Sequence, residues 1–368
     1  MLRRWFVTLA TALSAILLLT GQGSGAGRAP RPTLAQLVGQ HLLVRMKGST
    51  PSASLLGRIR RGEIGGIVLF QENIRGPSGV KRLVARLQAA ARAGGQLPLL
   101  IAIDQEGGGV KRLPGPPTEA PPKMNGVLTA YMQGLATGRY LRGLGIDLDL
   151  APVLDVPASP RAFIAPRAFS NKKTVVAARG TAFAEGLVSG GVAASVKHFP
   201  GLGRLLQSTD YYPGRIDAGR SDLARDLFPF RTAIDAGVPT VMVGTAVYGA
   251  YGGRLPAACS PEVVTGLLRQ TLGFEGVTIS DDLNTAGVRP LLPFPESTVR
   301  AVKAGIDMIY VSGVDLSGSD PAGREAFAAL LSAARHGDIP RSQLQDSYDR
   351  ILELKQQYAG ESRRGDQE

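Results

Sequence analysis

The chain has 368 residues, 44% of them hydrophobic and 20% charged, which is enough apolar material for a sizeable core and argues against global disorder. Its formal charge of +12 comes from arginine spread along the whole length. There is no basic run with interleaved aromatic residues, so a nucleic-acid partner is not expected. Cys259 is the only cysteine, which excludes an intrachain disulfide and leaves the fold to rest on its core.

Taken in chain order, the first stretch stands apart. Arg3 and Arg4 precede an apolar run over 5–19, and small residues follow. This pattern predicts a signal peptide over 1–26, cut near 24–27, and hence a secreted or cell-envelope-associated protein. An uncleaved anchor is the alternative. The run is short for a membrane span, and no cysteine follows it to take a lipid, so no stable membrane insertion is expected once the segment is removed. A Pro- and Arg-containing linker over 27–33 leads into a single domain over 34–358, and a charged tail over 359–368 ends the chain.

Within the domain, apolar β-type runs alternate with helical stretches. The runs are 41–46, 65–70, 98–104, 145–153, 191–199, 239–246, 276–282 and 306–313. Segments such as "GVKRLVARLQAAARAG", "VVAARGTAFAEGLVSG" and "PEVVTGLLRQTLG" read as helices between them. Strands apolar on both faces, alternating with helices, predict a parallel sheet covered by helices. Eight such units predict a (β/α)8 barrel. The other possibility, an open doubly wound sheet, lacks its glycine fingerprint, because "DQEGGG" does not have the G-x-G-x-x-G spacing. The closing stretch "RSQLQDSYDRILELKQQYAG" predicts a helix that completes the barrel.

In such a barrel the chemistry sits at the C-terminal strand ends. The third run ends in Asp104, with Gln105, Glu106 and Arg112 just beyond it. The fourth leads to Asp155 and then Arg167, the fifth ends in Lys197 and His198, and the seventh ends in Asp281 and Asp282. Acids and bases on one rim suit a ligand rich in hydroxyl groups. Each residue has a plainer role open to it. One of Asp281 and Asp282 could cap the following helix, Lys197 and Arg167 could pair with barrel carboxylates, and His198 could be a satisfied buried histidine.

The segments "GGIVLF", "IAIDQEGGGVKRL", "GIDLDLAPVLDV", "PRAFS", "KHFPG" and "LGFEGVTISDDLN" together resemble glycoside hydrolase family 3, in its single-domain bacterial β-N-acetylhexosaminidase-like branch. The resemblance implies a (β/α)8 barrel that removes a terminal β-linked N-acetylglucosamine, or a related hexose, with retention and without a cofactor. Carried over by motif, Asp281 is the nucleophile, and Asp104, Arg112, Arg167, Lys197 and His198 hold the sugar. Asp281 must stay ionised, and a cation such as Lys197 or Arg167 beside it would lower its pKa. The implied partner is a carbohydrate, an aminosugar glycoside or cell-wall fragment, and the protein is expected to be a monomer.

The loop after the fifth run departs from the branch. Leu202 replaces its first histidine, Ser208 the aspartate that orients the acid/base, and Asp210 the acid/base histidine itself. Pro166 stands where an aspartate precedes the arginine. The first reading is that Asp210 serves as an atypical acid/base. The alternative is a catalytically impaired, sugar-binding barrel. Tyr211, Tyr212 and Glu106 are further proton-donor candidates, with apolar packing for the tyrosines and structural pairing for Glu106 as their plainer roles.

Overall fold

A computed structural model describes residues 31–313 and 320–359. The expected signal peptide and nearly all of the expected tail lie outside the described residues. From Pro32 onward the described residues form one compact unit.

Each of the eight apolar runs contributes a strand to one parallel sheet. The strands are β1 (Leu42–Arg45), β2 (Gly66–Leu69), β3 (Leu100–Ile103) and β4 (Leu148–Asp149), then β5 (Ala193–Phe199), β6 (Thr240–Val243), β7 (Val277–Ser280) and β8 (Ile309–Val311). Their order in space follows their order in sequence, and β1 pairs with β8 in register Leu42–Ile309. The seam between β7 and β8 is thinner. It holds a bridge between Ile279 and Met308, with Ser280 N donating to Met308 O at 2.9 Å. The sheet is therefore a (β/α)8 barrel, as the alternation predicts.

The strands are shorter than the apolar runs because the chain leaves the sheet to deliver polar residues to the rim. β4 is cut furthest. Its regular ladder stops at Asp149, and beyond it the chain touches β5 only irregularly, through the Val153–Lys197 bridge and Leu154 N donating to Lys197 O at 2.7 Å.

Alternate side chains along each strand belong to different cores. Leu43, Val68, Leu100, Ala102, Leu148, Ala193, Met242 and Ile279 fill the barrel interior. Leu42, Val44, Ile67, Leu69, Ile101, Ile103, Val241 and Val243 face the outer helices. Burial on both faces is why the runs read as nearly continuous apolar sequence. The expected helices form at Gly76–Ala93, Lys173–Ser189 and Glu262–Thr271.

The last helix, Arg341–Tyr358, presents Ile351, Leu354 and Tyr358 to the interior core. Lys355 on the same helix is fully buried. Its ammonium donates to the Gln40 side chain and, at 2.7 Å, to Gly65 O, tying the helix to the barrel. Burial lowers the Lys355 pKa to about 7, against a smaller opposing pull from Asp147. Unfolding restores an ordinary lysine, which binds a proton more tightly. Between about pH 7 and the ordinary lysine pKa the unfolded chain therefore holds more protons, and stability contributed by this site rises with pH. Denaturant unfolding from pH 7 to 10 is predicted to show this rise in the wild type. In Lys355→Met the site's slope should be absent; an unchanged slope would mean that Lys355 is not the group responsible.

Candidate active site

The polar strand ends converge on one pocket of about 560 Å³. Asp104, Arg112, Arg167, Lys197, His198, Asp210 and Asp281 all line it. The sequence-expected site residues are thus brought together without exception. Arg45, at the end of β1, and Phe70, just after β2, also line the pocket.

Lys197 sits at the centre of the charge arrangement. It points from β5 into the barrel mouth with only 2% of its side chain exposed. Nζ lies 2.7 Å from Asp104 Oδ1 and 2.6 Å from Glu106 Oε1. Burial alone would lower its pKa, but the two carboxylates reverse the shift and keep it charged.

Glu106 in turn accepts two hydrogen bonds from Arg167, at 2.9 Å from Nε and 2.7 Å from Nη2. Burial would raise its pKa, but Lys197 and Arg167 outweigh that and bring it to about 2. Glu106 is therefore an ionised clamp and not a proton donor, in line with its plainer role. Asp104 also lies below its ordinary value, because Lys197, helped by Arg112, overcomes the effect of burial. Its Oδ2 is 3.4 Å from Arg112 Nη2.

Arg112 reaches the pocket on a short antiparallel hairpin formed by Gln105–Gly107 and Val110–Lys111. The buried Gln105 side chain holds that turn. Its Oε1 accepts from Arg112 N and Leu113 N, each at 3.0 Å, and its Nε2 donates to Leu113 O and Pro116 O. Phe70 lies between Arg112 and Arg45, with ring-centroid distances of 4.9 and 4.2 Å to their guanidinium carbons. The charged end of the first apolar run was the only sequence sign of Arg45.

His198 Nδ1 is 2.7 Å from Asp155 Oδ2, and Asp155 Oδ1 accepts from Leu202 N at 2.6 Å. Asp155 thus fixes both the imidazole and the start of the following loop. Leu202 itself is buried and lines the pocket.

The paired aspartates after β7 divide their work. Asp282 accepts from Asn284 N, Ser312 N and the Ser312 hydroxyl, joining the ends of β7 and β8. The helix cap expected for one of the pair does not form, since the next helix, Phe294–Ala304, starts at Pro293 without a side-chain cap. Asp281 faces the pocket, and among the described residues its Oδ1 accepts only from Asp282 N, at 2.8 Å. Burial raises its pKa to about 6; His198 opposes the rise and Asp210 adds to it. The expectation that Lys197 or Arg167 would lower the pKa of Asp281 is corrected here, because Asp104 and Glu106 engage those cations instead.

Asp210 stands at the pocket edge, exposed, with Oδ2 accepting from Ser208 Oγ at 3.0 Å. Ser208 Oγ also accepts from Asp210 N at 3.2 Å, so the replaced orienting residue still holds its neighbour. Tyr211 and Tyr212 are 70% and 52% exposed, so the apolar packing considered for them does not occur.

The Asp210 loop rests on the loop after β7. Thr285 Oγ1 donates to Thr209 O at 3.3 Å. A Cβ at Gly287 would lie 1.9 Å from Thr209 O and 2.7 Å from Tyr212 O. A glycine at 287 is thus what lets the loops bearing Asp210 and Asp281 meet. Among the described residues, no cluster of three or more His, Cys, Asp or Glu is placed to hold a metal ion.

The family model for the glycosyl hydrolase family 3 N-terminal domain matches residues 33–354. The chain belongs to glycosyl hydrolase family 3. Among solved family 3 structures, a β-N-acetylglucosaminidase from Paenibacillus sp. str. FPU-7 superposes with a TM-score of 0.84 at 36% identity, over 89% of this chain and 62% of that one. The β-N-acetylhexosaminidase of Beutenbergia cavernae DSM 12333 superposes with a TM-score of 0.80 at 34% identity, over 88% of this chain and 99% of that one. A secreted glycosyl hydrolase of Arthroderma benhamiae is 33% identical over 333 residues, which make up 88% of this chain and 93% of that protein. The family 3 chain described here thus spans nearly the whole of two of these relatives and under two thirds of the Paenibacillus protein.

The loop contact gives a direct test. Gly287→Ala must displace the Thr209 carbonyl, a steric change of the kind that costs ~1–3 kcal/mol in packed protein. Thermal unfolding should show a modest loss of stability. Hydrolysis of glycosides with poor leaving groups should fall by more than about tenfold if Asp210, whose loop is displaced, supplies the proton. Unaltered activity would mean that the contact does not position Asp210.

Proposed function

We propose that this family 3 glycoside hydrolase is exo-acting and removes a terminal β-linked N-acetylglucosamine, or a related hexose, with retention of configuration. The observation that carries the reading is the meeting of Asp281 and Asp210, from separate loops, in the pocket lined by Asp104, Arg112, Arg167, Lys197 and His198. The names of the Paenibacillus and Beutenbergia relatives support the choice of sugar.

In the proposed reaction the sugar's hydroxyl groups meet the carboxylate of Asp104 and the cations around it. Asp281 attacks the anomeric carbon while Asp210 gives its proton to the departing oxygen, leaving a covalent glycosyl-enzyme. Asp210 then takes a proton from water, which attacks the same carbon and releases Asp281. The Ser208 hydroxyl orients Asp210 in both steps. The carbohydrate is the proposed partner, no cofactor is required by this chemistry, and the protein is proposed to act as a monomer.

Release by a cleaved signal peptide over 1–26 completes the proposal, and the secreted Arthroderma relative is in keeping with it. No described helix is long and apolar enough to cross a membrane. A sugar-binding barrel without turnover would keep the same binding residues, and only turnover separates the two readings.

Two measurements test the assignment. On an activated aryl glycoside whose leaving group needs no proton, kcat/KM should rise with pH through about 6, because Asp281 must be ionised to attack and burial sets its carboxyl there. A flat profile between pH 5 and 7 would remove Asp281 from the nucleophile's role. The second measurement compares aryl β-N-acetylglucosaminides carrying dinitrophenol, which leaves almost unaided, with those carrying a leaving group that needs protonation. Asp281→Asn should abolish turnover of both. Asp210→Ala should slow the poor substrate by roughly 10²- to 10⁴-fold and the activated one far less. Equal slowing of both would count against Asp210 as the acid. No turnover by the wild type, with sugar still bound, would leave the binding barrel.

A further inference from the structure

Three large apolar side chains of the loop between β5 and β6 are turned to solvent: Leu206 at 61%, Tyr211 at 70% and Tyr212 at 52% exposure. Single exposed apolar residues are ordinary, but an exposed aromatic that lines a polar pocket is placed to meet a ligand. Of the three, Tyr211 lines the pocket. Its backbone is set by Tyr211 N donating to Ser208 O at 3.1 Å, within the same turn that holds Asp210.

The position of Tyr211 beside Asp210 determines what it can meet. A general acid must come within hydrogen-bond reach of the oxygen it protonates. The group on the far side of that oxygen therefore leaves past Asp210 and its immediate neighbours. The sugar being transferred lies on the other side, against Asp104, Lys197 and Asp281, where the polar groups converge. An aromatic ring at the exit has no charge to satisfy and offers a flat apolar face. The C–H face of a pyranose is flat and apolar in the same way, and the sequence has no tryptophan beyond Trp5 to do this work.

We propose that Tyr211 is a stacking platform for the sugar ring on the leaving side of the cleaved bond, and so sets a preference for substrates whose leaving group is itself a sugar. This rests on the hydrolase reading above. The platform acts by contact area and ring geometry, so its hydroxyl is dispensable. Phenylalanine should replace it, and alanine should not.

The test compares two substrates that both need protonation of the leaving oxygen. One is the β-1,4-linked disaccharide of N-acetylglucosamine, and the other is methyl β-N-acetylglucosaminide, whose leaving group has no ring. Tyr211→Ala should lower kcat/KM on the disaccharide by roughly 3- to 10-fold and leave the methyl glycoside unchanged, while Tyr211→Phe should behave as wild type on both. Equal losses on the two substrates would overturn the platform and assign Tyr211 to holding the Asp210 loop. A loss in Tyr211→Phe as large as in Tyr211→Ala would point to the hydroxyl instead, and no loss with either variant would also overturn the proposal.

Binding supplies a reading independent of turnover. In an Asp281→Asn background, Tyr211→Ala should weaken the disaccharide by the same factor and leave free N-acetylglucosamine unaffected. If the wild type cleaves neither substrate, the hydrolase reading fails while this comparison still decides whether Tyr211 holds a second sugar. Equal affinity for the disaccharide with and without Tyr211 would overturn it.

Discussion

A buried lysine must be paired, and the pairing of Lys197 organises this site. The side chain enters the barrel mouth from near the C-terminal end of β5, where an unpaired ammonium would be costly. Asp104 and Glu106 answer it from the chain just beyond β3, and Arg167 balances Glu106 from the loop after β4. Three successive βα units are thereby locked by charge at the place where the ligand must sit. Asp104 is left with one carboxylate oxygen near Arg112 at the long distance of 3.4 Å, where a sugar hydroxyl can compete for it.

The same pairing explains the electrostatics of Asp281, the proposed nucleophile. Lys197 and Arg167 are occupied by carboxylates, so the burial of Asp281 is opposed chiefly by His198 and its pKa rises. His198 is held in turn by Asp155, which also fixes the start of the Asp210 loop through Leu202 N. One buried carboxylate therefore sets both the group that tempers Asp281 and the path of the chain toward Asp210. Where the resemblance leads one to expect an aspartate and a histidine, this chain has Ser208 and Asp210. The short hydroxyl side chain reaches its neighbour's carboxylate and its backbone N–H within a single turn. The exchange keeps an oriented group at the pocket edge but moves its support from a carboxylate to a hydroxyl.

The barrel was almost wholly legible in the sequence. Strands buried on both faces need apolar residues at every position, so their runs stand out, and the helices between them fix a parallel connection. The run ends marked Asp104, Lys197, His198 and Asp281 because a charged residue closing an apolar strand has to emerge at the rim. The strand lengths were less legible. The regular ladder of β4 ends at Asp149, yet the chain still meets β5 at the Val153–Lys197 bridge, so apolar sequence and irregular pairing run on together past the strand. Gln105 read as one more polar residue beside Asp104. Its task of holding the hairpin that carries Arg112 depends on a chain reversal that no short pattern announces.

What the sequence by itself determined is therefore the number and order of strands, the side of the barrel that bears chemistry, and the identity of its polar residues. These follow from burial and periodicity, which are local properties of the chain. Only the tertiary structure decided which charge neutralises which. Lys197 lies between Asp104 and Glu106 rather than beside Asp281, Glu106 is a clamp rather than a donor, and Tyr211 faces outward at the pocket rather than packing inward. Ion pairing and exposure depend on distances between residues far apart in sequence. Those distances are set by the closure of the barrel and by the approach of the two loops at Gly287.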